Sequence, residues 1–474
     1  MRKKGYGMKI TKQNFAAIYT VFVFVALASL DNAVIGLFPP LFSSIARDMG
    51  IGVSALGVVS AINIFVTCVS SIVWGYLADK GKRKKLIILG TIVWSISVYL
   101  TSRSANISQL ILCQVFTGIG LGCIASIGFS VLTDYIPKRW RGMLMSLWGL
   151  SQGFGGIAGS VMASIIATTS SWRKPFEIIS VLGMVFIVLY FFIKEPVKGA
   201  SDPELRKLLE EGYEYNYAIE VSHLGEILKK KSNLWLILQG FFMNITTGTL
   251  IWLPTLYISK LEHTGLRTET SIIASGYLFA LLQTGGLASI YFGYLGDRLQ
   301  KRNYKGRVLL TAFSVFAAMP LYMLMFTVPI TNLGIPNSTN PVYVFFSLLK
   351  EILLNPWMLL MFLLAVGATA AQSANSPNWL ALITDANLPE NRATAFSIAN
   401  LVNGTGRAFG NICIGLVLKF FTPYFPEPDN YIVTMVLFQV FFIPSSLCYL
   451  KLSRNIKSDL LNVKGVLKKR AKLD

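Results

Sequence analysis

Charge is scarce in this chain. Of its 474 residues, 14% are Asp, Glu, Lys or Arg, against ~25% in ordinary soluble domains. A soluble nucleic-acid binder needs a broad polar surface to carry its cations. The net charge of +20 therefore does not point to a nucleic-acid partner. Histidine is nearly absent: His223 and His263 are the two present, both in polar segments. That excludes His-based metal sites and His proton relays within the apolar stretches. The five cysteines, Cys68, Cys113, Cys123, Cys413 and Cys448, lie in apolar stretches and form no CxxC pair. Neither a disulfide framework nor a zinc site is expected. A phosphate loop and a nucleophile elbow are also missing. No metal, no cofactor and no enzymatic activity are expected.

What abounds is apolar side chain, at 53% of the residues, with a mean hydropathy of +0.56. Twelve segments are long enough to cross a bilayer. They run roughly over 15–38, 53–77, 86–101, 110–133, 143–168, 176–193, 234–258, 272–295, 308–328, 356–384, 394–421 and 431–450. None alternates with period two, which argues against a membrane β-barrel. The first competes with a signal peptide. It is too long for one, carries Asp31, and has no small-x-small cleavage site before Pro39-Pro40, so it is expected to be a retained span. A further apolar stretch, 342–354, is too short to span and is expected to lie as an interfacial helix on the far side.

The cations test this count. With odd-to-even loops outside, 34 of the 43 Lys and Arg fall inside. Eight fall outside: Arg47, Arg103, Arg173, Lys174, Lys260, Arg267, Lys350 and Lys419. Such a bias predicts both termini in the cytoplasm of a multi-pass protein in the cell membrane. One cation, Arg407, is left within a span.

The chain repeats. Gly75-Tyr-Leu-Ala-Asp79-Lys-Gly-Lys-Arg83-Lys84 follows the second span, and Gly293-Tyr-Leu-Gly-Asp297-Arg298-Leu-Gln-Lys301-Arg302 follows the eighth. Asp134…Arg141-Gly142 follows the fourth, and Asp385…Arg392-Ala393 the tenth. The expected fold is an all-α polytopic membrane protein of twelve helices in two six-helix pseudo-repeat bundles. Its parts are an N-terminal half at 1–194, a linker at 195–232 with short amphipathic helices at 203–211 and 224–231, a C-terminal half at 233–451, and a basic tail at 452–474. The basic face is expected to attract anionic lipids.

These duplicated loops resemble the signature of the major facilitator superfamily, and the likeness covers nearly the whole chain. The resemblance implies a secondary transporter working by alternating access, with a small organic or lipid-like amphiphilic substrate. It also implies a cytoplasmic gate built from Gly75, Asp79, Arg83, Asp134, Arg141, Gly293, Asp297, Arg298, Lys301, Asp385 and Arg392. The competing functions are a receptor or sensor on the same fold and a uniporter without ion coupling.

Intramembrane polar groups are the next candidates, because each is costly in lipid. Asp31 is a candidate proton site and Arg407 a candidate anchor for a substrate anion. A structural ion pair is the alternative for both. In the superfamily the first, fourth, seventh and tenth helices face a central cavity. That implies Asp31, Asn32, Gln114, Asn244, Gln372 and Asn375 as its lining. Phe241, Trp252 and Trp379 are candidate aromatic walls, with plain packing as the alternative. Gly149, Gly153, Gly155, Gly156 and Gly159 are expected to form a close-packing face on the fifth span.

Within the superfamily the chain is similar to the Spinster-type lysolipid transporters, by Leu30-Asp31, Gly118-Ile-Gly120, Trp172-Arg173 and Lys194-Glu195-Pro196. It departs from them at Asn32, where those members have Arg, and at Gln114 and Leu121, where they have Arg and Glu. Of that set of charges only the aspartate remains here, and Arg407 is the candidate replacement for the missing cation.

Overall fold

The computed structural model describes residues 12–80, 82–128, 131, 141–193, 225, 229–387 and 392–470. The helix expected at 203–211 and most of that at 224–231 lie outside these residues. So do the side chains of Asp79, Asp134, Arg141 and Arg392.

The first half contributes α1 (Lys12–Met49), α2 (Val53–Lys80), α3 (Arg83–Arg103), α4 (Ile107–Cys123), α5 (Arg141–Thr169) and α6 (Lys174–Phe191). A π-turn, Ile124–Gly128, prolongs α4. The second half contributes α7 (Lys231–Leu250), α8 (Leu253–His263), α9 (Thr268–Leu282), α10 (Ser289–Arg302) and α11 (Gly306–Thr327). It continues with α12 (Pro341–Leu354), α13 (Pro356–Ser373), α14 (Asn375–Asp385), α15 (Arg392–Phe421), α16 (Asp429–Gln439) and α17 (Phe442–Arg470). No strand occurs among the described residues. Among the described residues eleven helices or in-line helix pairs are long and apolar enough to cross a membrane, and α5, apolar over Gly153–Thr169, makes the twelfth. In hydrocarbon every backbone polar group must be satisfied within its own segment, which is why the described spans are helices. The protein is an integral, multi-pass membrane protein.

The spans of the second half are not the continuous helices that hydropathy predicts. The seventh is α7 plus α8, the eighth α9 plus α10, the tenth α13 plus α14 and the twelfth α16 plus α17. Local chemistry accounts for three of these breaks. Pro254 and Pro377 lack the N–H that the preceding turn needs. Gly285-Gly286 sits in the tight 3-10 turn Thr284–Ala288 between α9 and α10.

We call the end of the bundle that carries the second–third and eighth–ninth loops the basic end, and the other the far end. Within each half one pair of helices packs backbone to backbone: α1 on α5, and α7 on α15. Between the halves, α2 packs on α15, α5 on α9, and the last turns of α1 on α8. These contacts reach the far end. There the Phe42 and Trp252 rings meet edge to face at 5.1 Å, and Thr255 Oγ1 donates to Pro39 O at 3.2 Å. Helix α12 lies across α9 and α13. It buries Val344, Leu348 and Ile352 and leaves Val342, Tyr343 and Phe346 exposed.

Two lysines close helix ends. Lys84 Nζ donates to Phe191 O at 2.7 Å and Ile193 O at 2.9 Å. Lys260, buried at the far end, donates to Phe326 O at 2.6 Å and Val328 O at 2.7 Å. Cations fit there because the carbonyls at a helix C-terminus carry partial negative charge. The expected tail is helical to Arg470, and its Leu452, Ile456, Leu460 and Val463 are buried. At the basic end Lys230 donates to Ala386 O. Burial holds its ammonium below the ordinary lysine value, and Asp459 nearby works against that shift.

Candidate functional site

The α1–α5 seam sets the position of Asp31. A Cβ on Gly155 would stand 2.1 Å from Ser29 O, and one on Gly159 would stand 2.2 Å from Ala33 O. On the facing helix, a Cβ on Gly36 would stand 2.2 Å from Gly156 O. Only glycine permits so close an approach. Asp31 lies beside this seam, 6% exposed, with no hydrogen-bond partner for its buried Oδ1. It is within electrostatic reach of Cys123, at the start of the π-turn. The next residue is satisfied locally: Asn32 Nδ2 donates to Ala28 O at 2.9 Å.

The α7–α15 seam repeats this pattern contact by contact. Gly406 meets Phe241 O, Gly410 meets Ile245 O, and Gly248 meets Arg407 O, with Cβ approaches of 2.4, 2.4 and 2.5 Å. Asn244 Nδ2 donates to Gly240 O at 2.8 Å, as Asn32 does to Ala28. Arg407 and Asn403 stand one helical turn apart on α15. Arg407 Nε and Asn403 Oδ1 are buried without partners. Across the half-to-half interface, Cys68 of α2 packs against Gly404 and lies within electrostatic reach of Arg407. Among the described residues no ion pair joins Asp31 to Arg407, so the structural pair held open by the sequence does not form in this state.

The other cavity candidates hold neighbouring helices together. Gln114 is buried. Its Oε1 accepts from Asn63 Nδ2 at 3.0 Å, and its Nε2 donates to Thr101 Oγ1 at 3.1 Å. Gln372 Oε1 accepts from Tyr322 OH. Asn375 Oδ1 accepts from Gln239 Nε2 at 2.9 Å and from Tyr449 OH at 2.8 Å, which ties the seventh, tenth and twelfth spans. Sequence reasoning passed over two buried residues of this kind, Gln239 and Asn411. Asn411 Oδ1 accepts from Trp252 Nε1 at 2.7 Å. Trp252 is fully buried and Trp379 nearly so, its Nε1 donating to Leu236 O at 3.1 Å. Both are packing groups in this state. Phe241 is half-buried, against Phe242 and Phe409.

At the basic end of the second half one buried cation gathers two acids. Arg307 donates to Asp297 Oδ1 and, at 3.1 Å, to Asp385 Oδ2. Gln300 Nε2 also donates to Asp385 Oδ2, at 3.1 Å. Arg298 and Lys301, the cations singled out by the loop pattern, are exposed. In the first half Arg83 is buried and engaged. Gly75 stands near Ser126, and Gly293 against Pro377. Arg307 was legible in principle. Arg83 opens α3 and Arg307 is the second residue of α11, so counting back from the following span, rather than forward from the glycine, brings the two into register.

Two bundles of helices, each with a glycine seam inside it and an unpartnered charge within its spans, define the class: a polytopic carrier of the secondary-transporter type. Residues 21–350 match the model of the Major Facilitator Superfamily, and the chain belongs to that superfamily. It is 24% identical over 315 residues to a probable sulfoacetate transporter of Cupriavidus necator, covering 64% of this chain and 69% of that one. It is likewise 24% identical over 303 residues to a 4-hydroxybenzoate transporter of Acinetobacter baylyi, covering 58% and 64%. Its fold is similar to the crystal structure of a bacterial homolog of the human lysosomal transporter Spinster in an inward-facing, occupied conformation. That match has a TM-score of 0.69 at 16% identity and covers 95% of this chain and 99% of the other. The chain is thus a secondary transporter, with the fold that its duplicated loops imply.

Proposed function

We propose that the protein is a proton-coupled carrier that rocks its two halves about a site midway along the spans, with Asp31 as the coupling carboxyl. The carrying observation is the buried, unpartnered Asp31 Oδ1 beside the α1–α5 seam. A carboxyl in that setting is costly in a span unless it serves a proton or a ligand. Asn32, Gln114, Asn244, Gln372, Asn375 and Arg407 line or brace the route. The basic end faces the cytoplasm, as the 34 cations on that side support, with both termini there and anionic lipid head groups as its partners. The closed contacts at the far end then make this an inward-facing state. The division into halves at 1–194 and 233–451 with a tether between them belongs to the same proposal, as does the absence of enzymatic activity.

The gate is the loop set at the basic end, with Arg307 holding Asp297 and Asp385 in the second half. When the carrier turns outward, these loops meet those of Asp79, Arg83, Asp134 and Arg141. The test is flux of small organic acids and lysolipids into proteoliposomes, with and without an imposed pH gradient, for the wild type and Asp31→Asn. Gradient-driven uptake is expected in the wild type and only downhill uptake in the variant. Equal responses in both would remove Asp31 from coupling and leave a uniporter.

A further inference from the structure

We infer that the transported solute is an organic acid, and that Arg407 holds its acidic group beside Cys68. This rests on the transport reading and adds a substrate class to it. A guanidinium cannot shed its proton at any accessible pH, and it has five donors and no acceptor. Within a span it must meet an anion, backbone carbonyls or water.

Among the described residues Arg407 meets no anion. Its Nε is buried without an acceptor, no carboxylate pairs with it among the described residues, and Asp31 is not its partner. One turn away on α15, Asn403 Oδ1 is buried beside Gly240 without a donor; an amide oxygen only accepts hydrogen bonds, so the guanidinium alone carries the attraction for an anion.

Arg407 lies on α15 between the contacts of that helix with α7 and with α2. The α7 backbone lies against both residues, for a Cβ on Gly240 would meet Asn403 Oδ1 and one on Gly248 would meet Arg407 O. Cys68, half-buried, comes from the other half of the protein. A ligand held here therefore bridges the two bodies that move, as a transported solute must. The equivalent place on the α1–α5 seam is Gly156, so the repeat does not demand an arginine here.

The native Cys68 thiol reports on this charge whatever the natural solute is. Purified full-length protein is treated with an anionic and a cationic thiosulfonate reagent of equal size, and modification at Cys68 is followed by mass spectrometry. With an unpaired guanidinium nearby, the anionic reagent should react about tenfold faster than the cationic one. Arg407→Lys should keep that preference, and Arg407→Gln should bring the ratio close to one. Benzoate should slow labelling of Cys68 by a neutral maleimide in the wild type, and benzamide of the same shape should not. A ratio near one in the wild type, or one unchanged in Arg407→Gln, overturns the site. Equal protection by benzoate and benzamide, or none by benzoate, overturns the acid. Flux in proteoliposomes is scored separately: a clear charge preference with no flux of any acid retains the anion site and fails the transport reading.

Discussion

The two glycine seams share one backbone frame, and each carries one charge that the other lacks. Gly155, Gly156 and Gly159 lie 251 residues before Gly406, Arg407 and Gly410, and Ser29, Ala33 and Gly36 lie 212 residues before Phe241, Ile245 and Gly248. The three close approaches of the first seam each have a counterpart in the other. Asn32 and Asn244 correspond too, and both bond to the carbonyl four residues back. The exceptions are the charges. Asp31 has Met243 as its counterpart, and Arg407 has Gly156. Backbone approach tolerates only glycine at fixed places, so those places recur. The chemistry does not have to recur, and each half carries one charge that the other lacks.

The largest effect should come from breaking the shared scaffold. Gly159→Val and Gly410→Val each put a branched side chain where a Cβ alone would be 2.2 or 2.4 Å from a backbone oxygen. Overpacking of well-packed cores costs about 1–3 kcal/mol and sometimes more. A backbone clash leaves no flexible group to yield, so about 3 kcal/mol or more is expected for each. Thermal unfolding in detergent should show two losses of similar size. A much smaller loss for one seam would end the equivalence of the halves.

Next comes the cation at the basic end of the second half. Arg307→Ala removes the group that joins Asp297 and Asp385. Both acids are well exposed, so much of the pairing energy is screened, and a loss of about 1–2 kcal/mol is expected. Lys301→Ala at an exposed position should change stability by less than about 0.5 kcal/mol. Reversed ranking in the same melts would return the gate to the residue that the loop pattern picks.

That contrast marks what the sequence could and could not show. The spans were legible because apolar runs of this length rarely occur outside a bilayer. The repeat was legible because its loops carry charge in a fixed pattern. The breaks in the second half were not. Pro39, Pro40 and Pro320 sit inside continuous helices, while Pro254 and Pro377 open new ones, and neighbouring helices decide which occurs. Nor could spacing tell a polar residue that braces helices from one left open. Gln114 and Arg407 both look like cavity residues in a linear reading. The first has used its hydrogen bonds on Asn63 and Thr101, and the second has an open Nε.

The smallest expected effect is the sharpest test of the seam, because it compares adjacent residues. A Cβ on Gly156 would meet nothing closer than Asn32 O at 3.9 Å, whereas one on Gly155 would stand 2.1 Å from Ser29 O. Alanine also favours helix over glycine by about 0.8–1 kcal/mol in exposed helices. Gly156→Ala should therefore leave stability unchanged or raise it by up to about 1 kcal/mol, and Gly155→Ala should lower it. If the two substitutions cost the same, the limit lies in the helix itself and not in its approach to α1. If Gly156→Ala melts normally but slows flux, the seam must slide past this position during transport. The resting contacts would then understate what Gly156 does, and the space that its counterpart Arg407 fills in the other half would be space that the first half uses for motion.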